Sequence, residues 1–104
     1  MDYKVILSDF AKQQLDDILF YICITLCNET AARSVLHDAE NAIQKLARSG
    51  GSLKICDEPE LAQYGYRKIH FSSHRYIMLY IIEGKELHID RIYHELEDYQ
   101  NLPD

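Results

Sequence analysis

The sequence predicts an α+β fold, and three observations predict it. Three runs rich in β-branched and aromatic residues lie between Tyr66 and His94. The breaks between them are about three residues long, the pattern of an antiparallel meander. Two amphipathic helical patterns fill residues 9–49, and a short β-prone run precedes them. Strands and helices are thus segregated along the chain rather than alternating, which points to α+β rather than α/β.

The first element is Tyr3 to Leu7, where Tyr3, Val5 and Leu7 alternate with Lys4 and Ile6. Ser8 is placed to cap the helix that follows, with Asp9 in its first turn, where the helix dipole favours an anion. Ala11, Leu15, Ile18, Leu19, Ile22 and Leu26 recur at helical spacing and predict a helix over residues 9–27. Asn28 to Thr30 breaks the pattern and offers a cap for a second helix. Its apolar stripe is Ala32, Val35, Leu36, Ala39, Ile43 and Leu46. So short a break predicts an antiparallel hairpin, and Ala32, Ala39 and Ala42 allow a close approach to a neighbour. Gly50-Gly51 ends the second helix. Residues 51–65, with Pro59, Gly65 and several acids, read as a loop with room for one helical turn.

The three strands follow: Tyr66 to Phe71, Arg75 to Ile82 and Leu87 to His94. The middle run is apolar on both alternating sets, as a central strand covered on two sides is. The helix hairpin is expected to bury its stripe on one sheet face and leave the other open. With a two-residue turn at Gly84, parity puts Tyr76, Met78, Tyr80, Ile82, Leu87, Ile89 and Tyr93 against the helices. Ile69 and Phe71 turn the same way, and Arg91 is a misfit in that set. The open face then carries Tyr66, Lys68, His70, Arg75, His88, Asp90, Ile92 and His94, among other residues.

The chain has 104 residues, so a single domain over 1–104 is expected, able to bury a core without disulfides or metal. No apolar run is long enough to span a bilayer, and the N-terminal residues lack a signal-peptide pattern; a cytoplasmic location is the expectation. The three cysteines, Cys23, Cys27 and Cys56, contain no C-x-x-C pair and read as buried or half-buried side chains in a reducing compartment. The net charge of −6 is unevenly spread. Residues 66–94 carry Arg67, Lys68, Arg75, Lys85 and Arg91 against three acids, a surplus of +2, with His70, His74, His88 and His94 among them. An acidic tail at about 95–104 follows, with Glu95, Glu97, Asp98 and Asp104. The sheet is the one basic region, although +2 is weak footing for phosphate-driven binding.

The residue types on the open face suit a phosphodiester. Lys68 and Arg75 are placed to hold a phosphate, and His94 or His70 to move protons near neutral pH. Tyr66, with His70 and His88 beside it, is placed to contact a substrate base. The plainer reading of the same residues is a solvated polar sheet face. His94-Glu95-Leu96-Glu97-Asp98 lacks the second His of a zinc-protease motif, so no metal site is assigned.

The β-α-α-β-β-β order, with Tyr66-Arg67-Lys68-Ile69, Arg75-Tyr76-Ile77-Met78-Leu79-Tyr80 and Ile89-Asp90-Arg91-Ile92-Tyr93-His94, resembles the RelE/ParE superfamily of bacterial toxins over nearly the whole chain. The resemblance implies the toxin of a type II toxin–antitoxin module, held inactive by a cognate antitoxin that wraps it. Some members cut messenger RNA in the ribosome, using basic residues on the sheet and an acid–base residue near the end of the last strand. Others poison DNA gyrase and are not nucleases. Carried over, Lys68 lies in the strand that supplies basic residues in the nucleases, Arg75 lies near the family's arginine, and His94 matches the frequent terminal His. Two departures stand out. Counted back from Tyr80, the nuclease arginine falls on Ile77, and the Arg-rich run after the His is replaced here by Glu95, Glu97 and Asp98. Gyrase-type inhibition is therefore favoured. A metal-independent, ribosome-dependent endoribonuclease and an inactive antitoxin-binding relative are the alternatives. No cofactor is implied, and a homodimer is compatible with the family.

Overall fold

The computed structural model describes residues 2–96. It runs β1 (Lys4–Leu7), α1 (Asp9–Phe20), a π-helical turn (Tyr21–Thr25), α2 (Glu29–Ser49), a 3₁₀ turn (Gly50–Ser52), α3 (Pro59–Ala62), β2 (Arg67–His70), β3 (Tyr76–Glu83) and β4 (Glu86–His94). The sheet order is β1-β4-β3-β2. β1 lies parallel to β4, and the other pairs are antiparallel.

Both helix starts are where the sequence places them. The Ser8 side chain accepts from the Ala11 N–H, and the Asn28 side chain from the Ala31 N–H. The end of the first helix differs. The α-helix stops at Phe20, and the π-helical turn closes with the Leu26 N–H on the Tyr21 carbonyl at 3.0 Å. The wider turn rotates the stripe by an extra residue. Ile22 still packs on the core, but Leu26, expected inside, is 55% exposed.

One sheet face packs on the helices. Ile69, Phe71, Met78, Tyr80, Leu87, Ile89 and Ile92 meet Ala11, Val35, Ala39, Ala42 and Leu46. The expected two-residue turn joins β3 to β4, because Glu83 pairs with Glu86. Gly84 has φ +63° and no other residue of that turn has positive φ, the II′ pattern that puts glycine first.

The partition of β4 between faces differs from the parity argument, and the cause is a β-bulge. Tyr80 pairs with Ile89 but Leu79 pairs with Arg91, so Asp90 is an extra residue. Beyond it every side chain swaps sides. Ile92 turns into the helix-side core, while Arg91 and Tyr93 turn to the second face. The Arg91 misfit is thereby removed, and His94 moves to the helix side, opposite to its expected position.

The second face is not open either. Ile77 and Leu79 point to it and need cover, which the segment before β2 supplies. Cys56 and Leu61 bury against Leu79 and Tyr93, with Tyr66 packed beside them. Ile55 bridges to Arg67, and the Cys56 N–H bonds the Tyr66 carbonyl at 2.9 Å, which caps the edge of β2. The tail expected at about 95–104 lies outside the described residues beyond Leu96.

Gly50 sits where α2 meets the sheet. The buried Tyr80 hydroxyl donates to its carbonyl at 2.7 Å, and burial pushes that phenol up to about 12. A Cβ on Gly50 would collide with the Leu87 side chain. Gly50→Ala is expected to lower stability by about 1–3 kcal/mol through overpacking, read by urea denaturation; an unchanged midpoint would show that Leu87 has room to move.

Candidate functional site

The residues singled out by the sequence divide between two places. Tyr66, Lys68 and His70 share the second face with Leu79, His88, Arg91 and Tyr93, as the pairing of β2, β3 and β4 dictates. His94 is on the other side, with its ring edge-on to Tyr76 at 5.4 Å. Arg75 precedes β3, and its side chain is 72% exposed. Lys68 and His94 are therefore not brought together.

On the second face each basic group has a carboxylate within reach. Lys68 Nζ is 3.1 Å from Glu58 Oε1, with both side chains largely buried by α3 and its flanks. The other oxygen, Glu58 Oε2, is buried with no hydrogen-bond partner among the described residues. A half-buried carboxylate with one oxygen out of water holds its ammonium more tightly than an exposed one does, because separating them would leave that oxygen's charge uncompensated. Arg91 Nε donates to Asp90 Oδ2 at 3.2 Å, its guanidinium donates to the Tyr93 hydroxyl at 3.2 Å, and it lies over the Phe10 ring at 5.2 Å. Burial works against its charge, but the bonds to Tyr93 and Asp90 outweigh burial and raise its pKa. Tyr66 donates its hydroxyl to the same Asp90 oxygen at 3.1 Å. Burial first, and then Asp90, raises the Tyr66 pKa.

Weaker pairs surround these. Glu95 lies between His70 Nδ1 at 3.5 Å and Arg75 Nε at 3.8 Å. His88 Nε2 is 3.2 Å from Glu86 and 3.8 Å from Glu83. Such exposed pairs are worth little and open readily.

The helix side holds a groove of about 480 Å³ between the hairpin tip and the start of β3. Tyr21, Ile22, Leu26, Ala31 and Val35 form one wall; Ser73, His74, Arg75, Tyr76 and His94 form the other. The Leu96 N–H donates to His94 Nδ1 at 3.2 Å, so a neutral His94 carries its proton on Nε2.

Sequence reasoning missed Asp38, which the structure makes the anchor of that second wall. Asp38 lies on the buried face of α2 and is 4% exposed. Its carboxylate accepts from the N–H groups of Ser72 and Ser73 at 3.1 and 2.9 Å and meets His74 Nδ1 at 2.9 Å. His74 Nε2 in turn faces Ser34 Oγ at 3.5 Å. The order Ser–His–Asp is that of a nucleophilic triad, but the two N–H groups beside it are spent on Asp38 rather than aimed at an oxyanion. The set clasps the β2–β3 turn to α2. Its signal in the sequence was an acid at helical spacing from Val35, Ala42 and Leu46.

Of the cysteines, Cys56 is buried and its thiol is pushed up by burial. Cys23 is half-buried, so both fit the expectation of buried or half-buried side chains, whereas Cys27 is exposed and departs from it. Among the described residues no group of His, Cys, Asp and Glu is arranged to hold a metal ion. Among the same residues no helix is long and apolar enough to cross a membrane.

The described geometry can be set beside known proteins. The family model for the ParE toxin of type II toxin–antitoxin systems, parDE, matches residues 5–99. Among solved structures, a chain of the chromosomal ParDE toxin–antitoxin system from P. aeruginosa superposes with a TM-score of 0.72. The match covers 88% of this chain and 95% of that one at 18% identity, a likeness of fold. No curated protein sequence matches significantly.

Asp38 carries a prediction. Burial alone would raise its pKa, but the bonds from His74, Ser73 and Ser72 outweigh burial and lower it. A lowered folded-state pKa stabilises the fold above the ordinary carboxylate value of about 3.9 and is lost as pH falls through the lower folded value. Asp38→Ala is expected to cost about 3 kcal/mol at pH 7 by urea denaturation, because two backbone donors lose their acceptor. It should also flatten the fall in stability below about pH 4. Equal stability of the variant and the parent at pH 7 would remove the clasp from the account.

Proposed function

The chain belongs to the ParE toxin family of type II toxin–antitoxin modules, and from that premise we propose that it arrests growth by acting on DNA gyrase in the cytoplasm and is neutralised by a cognate antitoxin. The observation that supports the choice of target is the internal pairing of Lys68 and Arg91 on the second face. A nuclease of this architecture needs basic side chains that can take a phosphate and stabilise charge developing on it. Here Lys68 is held by the half-buried Glu58, and Arg91 by Asp90 and Tyr93. His94, the expected proton donor, is on the opposite side of the sheet from Lys68. A general acid–base group has to lie within hydrogen-bond reach of the atom it serves, and one phosphodiester cannot satisfy both residues across a sheet. These facts support a toxin that works by contact with a protein rather than by cutting RNA.

Tightly controlled expression of the chain alone is the test. Growth should stop, plasmid supercoiling should relax before protein synthesis falls, and co-expression of the antitoxin should restore growth. His94→Ala should retain toxicity within about threefold, since a group outside the chemistry contributes none of the 10²–10⁴ that proton transfer supplies. Early loss of translation with intact supercoiling, together with a harmless His94→Ala variant, would assign the endoribonuclease reading instead. Undisturbed growth in the presence of soluble, folded protein would assign the inactive one.

A further inference from the structure

Phe10 and Phe20 are 50% and 63% exposed, on a helix whose other face lies in the core. Single exposed apolar residues are ordinary, so exposure alone says little. Their spacing says more. Between them, on the same outward side of α1, stand Gln13 and Asp17, both exposed. The four fall at intervals of three, four and three residues, the repeat by which one helix follows another. Ala11, Leu15, Ile18 and Leu19 pack inward, so the stripe points away from the sheet. It is about 15 Å long.

The stripe also reads the same in both directions: aromatic, polar, polar, aromatic. A two-fold interface asks that of a surface, because the same patch must complement itself. Two α1 helices laid antiparallel about Leu15 put Phe10 against Phe20 of the second copy and Gln13 against its Asp17, each contact occurring twice. The polar pair is matched as donor and acceptor. Within one chain Gln13 Nε2 donates to Asp17 Oδ1 at 2.8 Å, which leaves the amide's other N–H and the other carboxylate oxygen to cross the interface. Polar residues in a helical seam fix register and orientation at a cost in stability. Phe10 is preset for the contact, because the Arg91 guanidinium lies 5.2 Å from its ring centroid and steadies one face of the ring. The rim is balanced as well. Lys12 and Asp16 are one turn apart on one flank of the helix, so that flank of the pair carries two ammonium groups and two carboxylates. Asp9 falls level with the uncharged Tyr21.

We infer that the outward stripe of α1 is a homodimer surface, on which a second copy of this chain docks antiparallel, Phe10 to Phe20 and Gln13 to Asp17. The inference goes beyond the toxin reading and does not rest on it. A contact between two short helices is small, so the dimer belongs to the weak, concentration-dependent class.

Sedimentation equilibrium of the purified chain between about 1 µM and about 1 mM is the test, with thermal unfolding as the check on folding. The chain should pass from monomer to dimer and go no further, because a two-fold contact closes on itself. Phe20→Arg alters an exposed position, should fold normally, and should weaken association at least about tenfold. Gln13→Glu sets carboxylates facing one another at both crossings and should weaken it by about tenfold as well. Gln13→Glu combined with Asp17→Lys turns those crossings into ion pairs and should restore association, which then falls as salt rises. Tyr64→Arg, an exposed aromatic beside α3, should associate within about twofold of wild type. A wild-type chain that stays monomeric throughout would overturn the inference and leave the stripe to another partner. A dimer that survives both Phe20→Arg and Gln13→Glu would overturn it by placing the contact elsewhere. A double variant no better than Gln13→Glu alone would overturn the antiparallel pairing. None of these results touches the toxin reading, which growth arrest decides.

Discussion

Asp90 has no partner on β3, and four polar side chains and one backbone N–H hold the chain in that condition. The Ser8 hydroxyl donates to its carbonyl at 2.8 Å, and the Ser8 N–H bonds the neighbouring Ile89 carbonyl at 2.9 Å. Its carboxylate takes Tyr66 and Arg91. β1 pairs with β4 only as far as Ile89, so the Ile92 N–H would lack an acceptor there; Gln14 Oε1 reaches it from α1 at 2.7 Å. Ser8 thus caps α1 and pins the bulge together. A buried backbone donor without a partner costs about 1–3 kcal/mol, so these side chains are a condition of the bulge rather than an ornament to it.

The bulge sets what each face of the sheet can do. It sends Ile92 under the helices, turns Arg91 out towards Phe10 and Asp90, and carries His94 to the groove by Tyr76. Without it, His94 would stand on the same face as Lys68. With it, the second face is left with Lys68 and Arg91 already answered by Glu58 and Asp90. The functional weight shifts to the helix side, where the Asp38 clasp holds His74 in the wall of an apolar groove. Specificity for a protein partner follows more naturally from that arrangement than affinity for a polyanion does.

Much of the fold was legible because its signals are periodic and local. The α+β class, both helix caps, the hairpin, the three-stranded meander and the turn at Gly84 all follow from spacing or from glycine. Arg91 was also legible as an anomaly, although spacing alone did not say that one extra residue would resolve it. The failures share a cause, since each depends on contacts between residues far apart in the chain. The bulge is held from Ser8 and Gln14, more than seventy positions away. The cover over the second face comes from Cys56 and Leu61, in a stretch that reads as loop. Asp38 looked like one more helix acid until its partners at Ser72, Ser73 and His74 were placed beside it. Of the candidate site, Tyr66, Lys68 and His70 were correctly grouped on one face, but their carboxylate partners were visible in the sequence only as a charge count.

The central claim is that Lys68 and Arg91, the basic residues of the second sheet face, are internally neutralised. Binding of a labelled single-stranded RNA, followed by anisotropy at about 50 mM and about 200 mM salt, tests it most directly. Neutralising even two phosphates would give a log–log slope of about −1.4 on single strands. The account predicts no saturable binding at either salt concentration. Saturable binding at low salt with a slope of that size or steeper, lost in Lys68→Ala, would contradict it.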